Sequence, residues 1–242
     1  MDSAVSLDDV LARPDVWRGN HLASAALPAI PSGFAQLDAE LPGGGWPRGA
    51  LTEILSDCAG VGECSLLMPA LRQMQREGKW SLLVAPPYLP YGPAWAAWGI
   101  DLARLAVVSP PHRGDTLWAV EQALASGALG SVWCWTTRSD TRQVRRLQVA
   151  AGGSATLAFL FRPSRARTEA SAAALRLLLS AGPGGRLSIN LLKRRGPPCT
   201  RTFHLDVTRP TRWHATHEAA TALAGTPPAL PSAPSQRTLA LA

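Results

Sequence analysis

Short apolar runs alternate with helix-spaced apolar residues between residues 51 and 161, and this alternation limits the fold more than any other feature of the chain. Strands are expected at 51–55, 80–84, 105–108, 129–136 and 155–161. Between them, Leu67, Ala70, Leu71 and Met74 line one face of a helix that ends near Gly78. A short helix follows at 95–98, then one at 115–126 with Asp115 near its start, then one at 139–151 with Ser139 as its N-cap. Strands joined by helices cannot pair as hairpins. The pattern therefore predicts an α/β fold, a mostly parallel central sheet with helices on both faces. Later in the chain, 175–179, 186–192 and 202–207 read as consecutive strands. A turn at 182–185 containing Pro183 joins the first two, which predicts an antiparallel edge.

A chain of 242 residues with 46% apolar content suits one medium domain with tails. Residues 1–30 read as an N-terminal arm, in which Leu7, Val10 and Leu11 are spaced for a short amphipathic helix before Pro14. Residues 31–207 are the expected domain. Residues 208–242, rich in Ala, Pro, Thr and Ser, read as a flexible tail. The uncharged run 80–100 is long enough to span a membrane, but Pro86, Pro87, Pro90 and Pro93 would break such a helix. The acidic N-terminus has no secretory character, and Cys58, Cys64, Cys134 and Cys199 form no C-x-x-C pair. A reduced, soluble, cytoplasmic protein without a metal site is expected. Charge is divided unevenly: residues 1–110 hold 7 Lys/Arg against 11 Asp/Glu, and residues 111–242 hold 17 against 6. The second half is thus the part suited to phosphates or an acidic partner, or else a solvated basic surface.

One turn has the setting of a phosphate-binding loop, in which backbone N–H groups at a helix N-terminus cradle phosphates between a strand and a helix. It reads Asp57-Cys58-Ala59-Gly60-Val61-Gly62-Glu63-Cys64. Against G-x-x-x-x-G-K-[ST], Asp57 takes the first glycine position and Gly62 the second. Glu63 stands in place of Lys, and Cys64 in place of the magnesium-holding Ser/Thr. A carboxylate beside a phosphate repels it by on the order of a few kcal/mol, and a thiol is a poor magnesium ligand. Ser65 offers a hydroxyl, but about 100° further round the helix. The strand at 131–136 also lacks the terminal acid that would hold magnesium, the next carboxylate being Asp140. No catalytic residue, and neither ATP nor magnesium as a cofactor, is expected.

The segment PSGFAQLDAELPGGGWPRGALTEIL at 31–55 resembles the entry to the RecA recombinase core, and 76–79, 99–105 and 123–127 resemble RecA segments in the same order. More closely, this segment, APPYLPYGPAWAAWGIDLARL at 85–105 and LLKRRGPP at 191–198 resemble the ImuA family. These are RecA-like proteins associated with translesion DNA synthesis, often described as similar to the cell-division inhibitor SulA. The resemblance implies a RecA-like core over 31–207 with a degenerate phosphate loop. It places the recombinase's catalytic carboxylate on Pro87 and its strand-end Asp near Trp135. The two DNA-binding loops fall on 142–153 and 162–168, both short here, with Arg142, Arg145, Arg146, Arg162, Arg165 and Arg167 left as DNA or partner contacts. Lys193 and Arg195, with Arg194 between them, match the basic strand end that reaches a neighbour's ATP in a RecA filament.

The implied function is that of a non-catalytic accessory protein of SOS-induced translesion synthesis. Its partners would be RecA, an ImuB-like Y-family polymerase homologue and a replicative polymerase. An ATP-binding recombinase paralogue and a SulA-like inhibitor acting on FtsZ are the alternatives. Gln236, Leu239 and Leu241 match a degenerate sliding-clamp peptide. Trp133 and Trp135 share one strand face and are expected in the core, while Tyr88, Tyr91, Trp95 and Trp98 could form an exposed partner patch.

Overall fold

The computed structural model describes residues 28–57, 59–112 and 114–207. The arm helix around Leu7, Val10 and Leu11, Cys58, and the tail with Gln236, Leu239 and Leu241 lie outside the described residues. A two-residue antiparallel ribbon, β1 (Ala29–Ile30) with β2 (Trp46–Pro47), leads into the main sheet. Its strands are β3 (Ala50–Ser56), β4 (Trp80–Val84), β5 (Leu105–Val108), β6 (Leu129–Trp135), β7 (Leu157–Pro163), β8 (Leu175–Ala181), β9 (Leu187–Lys193) and β10 (Thr202–Leu205). They lie in the order β10-β9-β8-β3-β7-β6-β4-β5. From β8 through β5 every pairing is parallel, while β9 and β10 add an antiparallel edge.

Five α-helices are described: α1 (Ala35–Asp38), α2 (Glu63–Arg76), α3 (Gly92–Ala97), α4 (Asp115–Ala125) and α5 (Thr141–Gly152). None of the described helices is long and apolar enough to cross a membrane. The strand alternation sorts the side chains into two cores. On one face Leu66, Leu67, Leu71 and Met74 of α2 meet Ile54, Trp133, Phe159 and Leu177. On the other, Leu117, Val120 and Leu124 of α4 and Val144, Leu147 and Ala151 of α5 meet Leu51, Val132, Ala158 and Leu160. Each large side chain so buried stabilises the fold by about 1.5–3 kcal/mol relative to exposure.

The first face has an aromatic centre. Trp133 is fully buried, with Trp95, Trp135, Phe159 and Phe161 around it at 5.9–6.2 Å between ring centroids. Trp95 therefore belongs to the core and Trp98 packs against it. Tyr88 and Tyr91 alone of the expected patch stand exposed, with Leu89 between them. The cap of α5 is Asp140, one residue beyond the expected Ser139. Its carboxylate accepts the Gln143 N–H at 2.7 Å, and the Gln143 side chain accepts the Asp140 N–H at 2.9 Å. Two orphan amide donors are satisfied reciprocally, which a serine one residue earlier could not do.

Candidate phosphate-loop site

The loop between β3 and α2 has the strand–turn–helix form expected of a phosphate cradle. Gly62 caps α2 with φ 119°, a left-handed conformation that favours glycine, and a Cβ there would come within 2.9 Å of Val207 Cγ2. This conformation turns the Glu63 side chain back over its own loop. Its Oε1 accepts the Gly60 N–H at 2.8 Å and its Oε2 the Gly62 N–H at 3.1 Å. Glu63 is only 5% exposed. The amides that a bound phosphate would need are thus occupied by a carboxylate from the same loop, at a helix terminus whose dipole favours negative charge.

Burial, and then the Glu63 carboxylate, push the Cys64 thiol up to about 12, so the sulfur stays protonated. Asp57 accepts the Ser164 hydroxyl, tying the loop to the segment after β7. Ser65 is buried within α2.

The loop borders an open cleft of about 1300 Å³ at the carboxyl ends of the parallel strands, where open α/β sheets bind ligands. Trp135 and Phe161 form part of its lining, stacked at 4.4 Å and 5°. Pro87 lines the cleft where the resemblance places the recombinase's carboxylate, and Asp140 is engaged in capping α5. Ala85, which closes β4, has φ 51°, the one non-glycine residue in the left-handed region among the described residues.

Beneath this cleft is a group that sequence inspection missed. Glu53, fully buried in β3, pairs with Arg162 of β7 at 2.9 Å and with Arg176 of β8 at 2.5 Å. Arg162 also bonds Glu169 at 2.6 Å and the Ser139 carbonyl at 3.1 Å. Arg176 holds the carbonyls of Ala166 and Glu169. Arg162, expected as a DNA or partner contact, is therefore an interior residue, 6% exposed, with its guanidinium engaged inside the protein. The signal lay in three charged residues within three apolar strands.

The remaining basic candidates separate by surroundings. Arg165 is exposed and donates to the Thr137 carbonyl at 2.8 Å, and Arg167 is exposed beside it. Arg142, Arg145 and Arg146 are exposed on α5, with Arg146 paired to Glu121 at 2.5 Å. At the end of β9, Lys193 is exposed and reaches the Ser171 carbonyl at 2.9 Å. Arg194 is nearly buried, bonded to the Glu40 carboxylate at 2.7 Å and to the carbonyls of Glu40 and Pro197. Arg195 is half-buried with contacts of its own. Lys193 lies opposite Arg176, near the start of β8, whereas the phosphate-type loop follows the far end of β3.

These elements define an α/β protein with a phosphate-type loop that carries its own carboxylate. The MT3502 N-terminal domain family matches residues 39–163, and the chain belongs to that family. The chain is also similar to the cell division inhibitor SulA of Edwardsiella piscicida, 27% identical over 107 residues, covering 44% of this chain and 64% of the relative. SulA of Photorhabdus laumondii is 32% identical over 109 residues, covering 45% and 61%. Protein RecA of Chlorobaculum parvum is 33% identical over 115 residues, covering 47% and 33%. The chain thus spans less than two thirds of the length of each of these three relatives.

Proposed function

We propose that this chain is a non-catalytic accessory protein of the SOS DNA-damage response, RecA-like in fold and ImuA-like in role. In this role it binds RecA or an ImuB-like polymerase homologue during translesion synthesis. The observation that carries the reading is the Glu63 carboxylate on the Gly60 and Gly62 amides. A loop so occupied is poorly suited to a triphosphate, and the absent strand-end acid leaves magnesium without a holder. Similarity to both SulA and RecA supports a protein-binding role on this fold. Lys193 and Arg195 are the groups that would meet a RecA protomer's phosphates from the neighbouring position.

Calorimetric titration with ATP and magnesium tests the first half of the reading. No binding heat is expected, and tight magnesium-dependent binding would overturn it. Pull-down against RecA, an ImuB-like protein and FtsZ tests the second half. Capture of RecA or the ImuB-like protein, lost in K193E/R195E, supports the accessory role, whereas RecA binding untouched by that double variant removes the trans-phosphate contact. The SulA matches favour a second reading, an inhibitor of a cell-division polymer. Capture of FtsZ alone would select it.

A further inference from the structure

Six of the ten large apolar side chains that stand exposed among the described residues lie along β5 and its flanking loops: Tyr88, Leu89, Tyr91, Leu102, Val107 and Val108. The backbone makes them neighbours. Val108, at the end of β5, accepts the Ala85 N–H at 2.8 Å. Leu102, just before β5, is so close to Gly92 that a Cβ there would lie 3.3 Å from its Cδ1. The loop 86–91 between Ala85 and Gly92 is thus anchored beside both ends of β5. Val107 shares a strand face with Leu105, which packs on the same core as α2. A cluster of this kind on a free surface marks an interaction site.

The strand is also an open edge, with β4 as its one described neighbour. Val108 bonds to β4, and in a parallel ladder alternate residues turn to opposite sides, so the Val107 N–H and C=O point away from the sheet. Free edges are usually blunted by a charge, a proline or a bulge. Leu105-Ala106-Val107-Val108 has no charge or proline and pairs with β4 in unbroken register. At the entry to β4 and β5 the charge is positive. Arg72 and Arg76 of α2 and Lys79 are exposed and make no ion pair with a described residue, whereas the nearby acids Glu77 and Asp101 are held by Arg48 and Arg104. A nucleic-acid backbone would satisfy these cations and leave Val107, Tyr88 and Leu89 uncovered. An extended acidic and apolar peptide satisfies both.

We propose that β5 accepts an extended segment of a partner protein as a ninth strand beside the eight of the sheet. Its apolar side chains lie toward Val107, Tyr88 and Leu89, and its Asp or Glu residues at the end beside Arg76 and Lys79. Backbone bonds to Val107 hold any extended chain, and the apolar patch and the cations select among them. Nothing in this contact depends on what occupies the phosphate-type loop.

Peptides selected on the full chain from a random displayed library test it. Enriched peptides should carry Val, Ile, Phe or Tyr at alternate positions and Asp or Glu at one end. Their binding should slow exchange of the Val107 amide about tenfold. V107P, which removes the outward N–H and leaves the bonds to β4 in place, should weaken binding about fivefold. A proline in so short a strand can unfold it, so Y88S/L89S gives an independent check. These side chains are 77% and 84% exposed, and their loss should weaken binding about tenfold. R76E/K79E should lose the acidic peptides and bind the same peptides with Lys in place of the acids. Failure to enrich any peptide would overturn the proposal. So would peptides whose binding either leaves Val107 exchange unchanged or survives Y88S/L89S. Protection of Val107 by a single-stranded oligonucleotide but by no peptide would also overturn it, and assign the edge to nucleic acid.

Discussion

Two buried glutamates ten residues apart, Glu53 in the middle of β3 and Glu63 at the start of α2, have nearly equal exposure and opposite surroundings. Glu53 meets two guanidinium groups. Among the described residues Glu63 meets no cation, only two backbone amides of its own loop. The first holds three strands together through their side chains. On the proposed reading, the second fills a position that the loop would otherwise offer to a bound anion. Burial alone therefore does not separate a structural acid from one that substitutes for a ligand, whereas the identity of the donors does.

The comparison is broken most severely at Glu53. E53A leaves Arg162 and Arg176 buried without their carboxylate and is expected to cost about 3–5 kcal/mol, read from urea denaturation. At Glu63 the expected loss is smaller, about 1–3 kcal/mol for E63A, because two amides lose a charged acceptor but can recruit water. Equal losses would mean that the two glutamates are held alike. G62A sharpens it further. The left-handed backbone and the contact with Val207 predict a loss of about 1–2 kcal/mol and a weaker seat for Glu63, seen as faster exchange of the Gly60 amide.

The smallest effect belongs to the partly exposed pair Arg48–Glu77. The Arg48 hydrogen bond holds the Glu77 carboxyl below the usual carboxylate range. A depressed acid contributes stability above its unfolded-state value, and that contribution is lost as pH falls through the folded-state value. R48M is therefore expected to cost roughly 0.5 kcal/mol or less at neutral pH and nothing in acid, checked by denaturation at pH 7 and pH 3.

Much of this was legible in the residues. Periodicity located the parallel strands and the helices packed on them, because two buried sheet faces need long apolar runs and one-sided helices. Glu63 and Cys64 were visible as departures from a phosphate loop. The destination of the Glu63 side chain was not, since it depends on the φ angle of Gly62, which composition does not encode. Arg162 was misplaced for a different reason: its charge suggested the surface. Yet it alternates in phase with Ala158 and Leu160, and strand geometry sends all three to the same buried side. The ribbon at 29–30 and 46–47 was too short to show any period. The cap at Asp140 could have been found from Gln143 three residues later.

The seat of Glu63 also bears on timing. Switch proteins built on phosphate loops follow the nucleotide they hold, so their state tracks the ratio of triphosphate to diphosphate in the cell. On the proposed reading, a loop whose anion is covalently part of the chain cannot be emptied and has no such clock. Control then passes to how much of the protein is made, how long it lasts and which partner reaches it first.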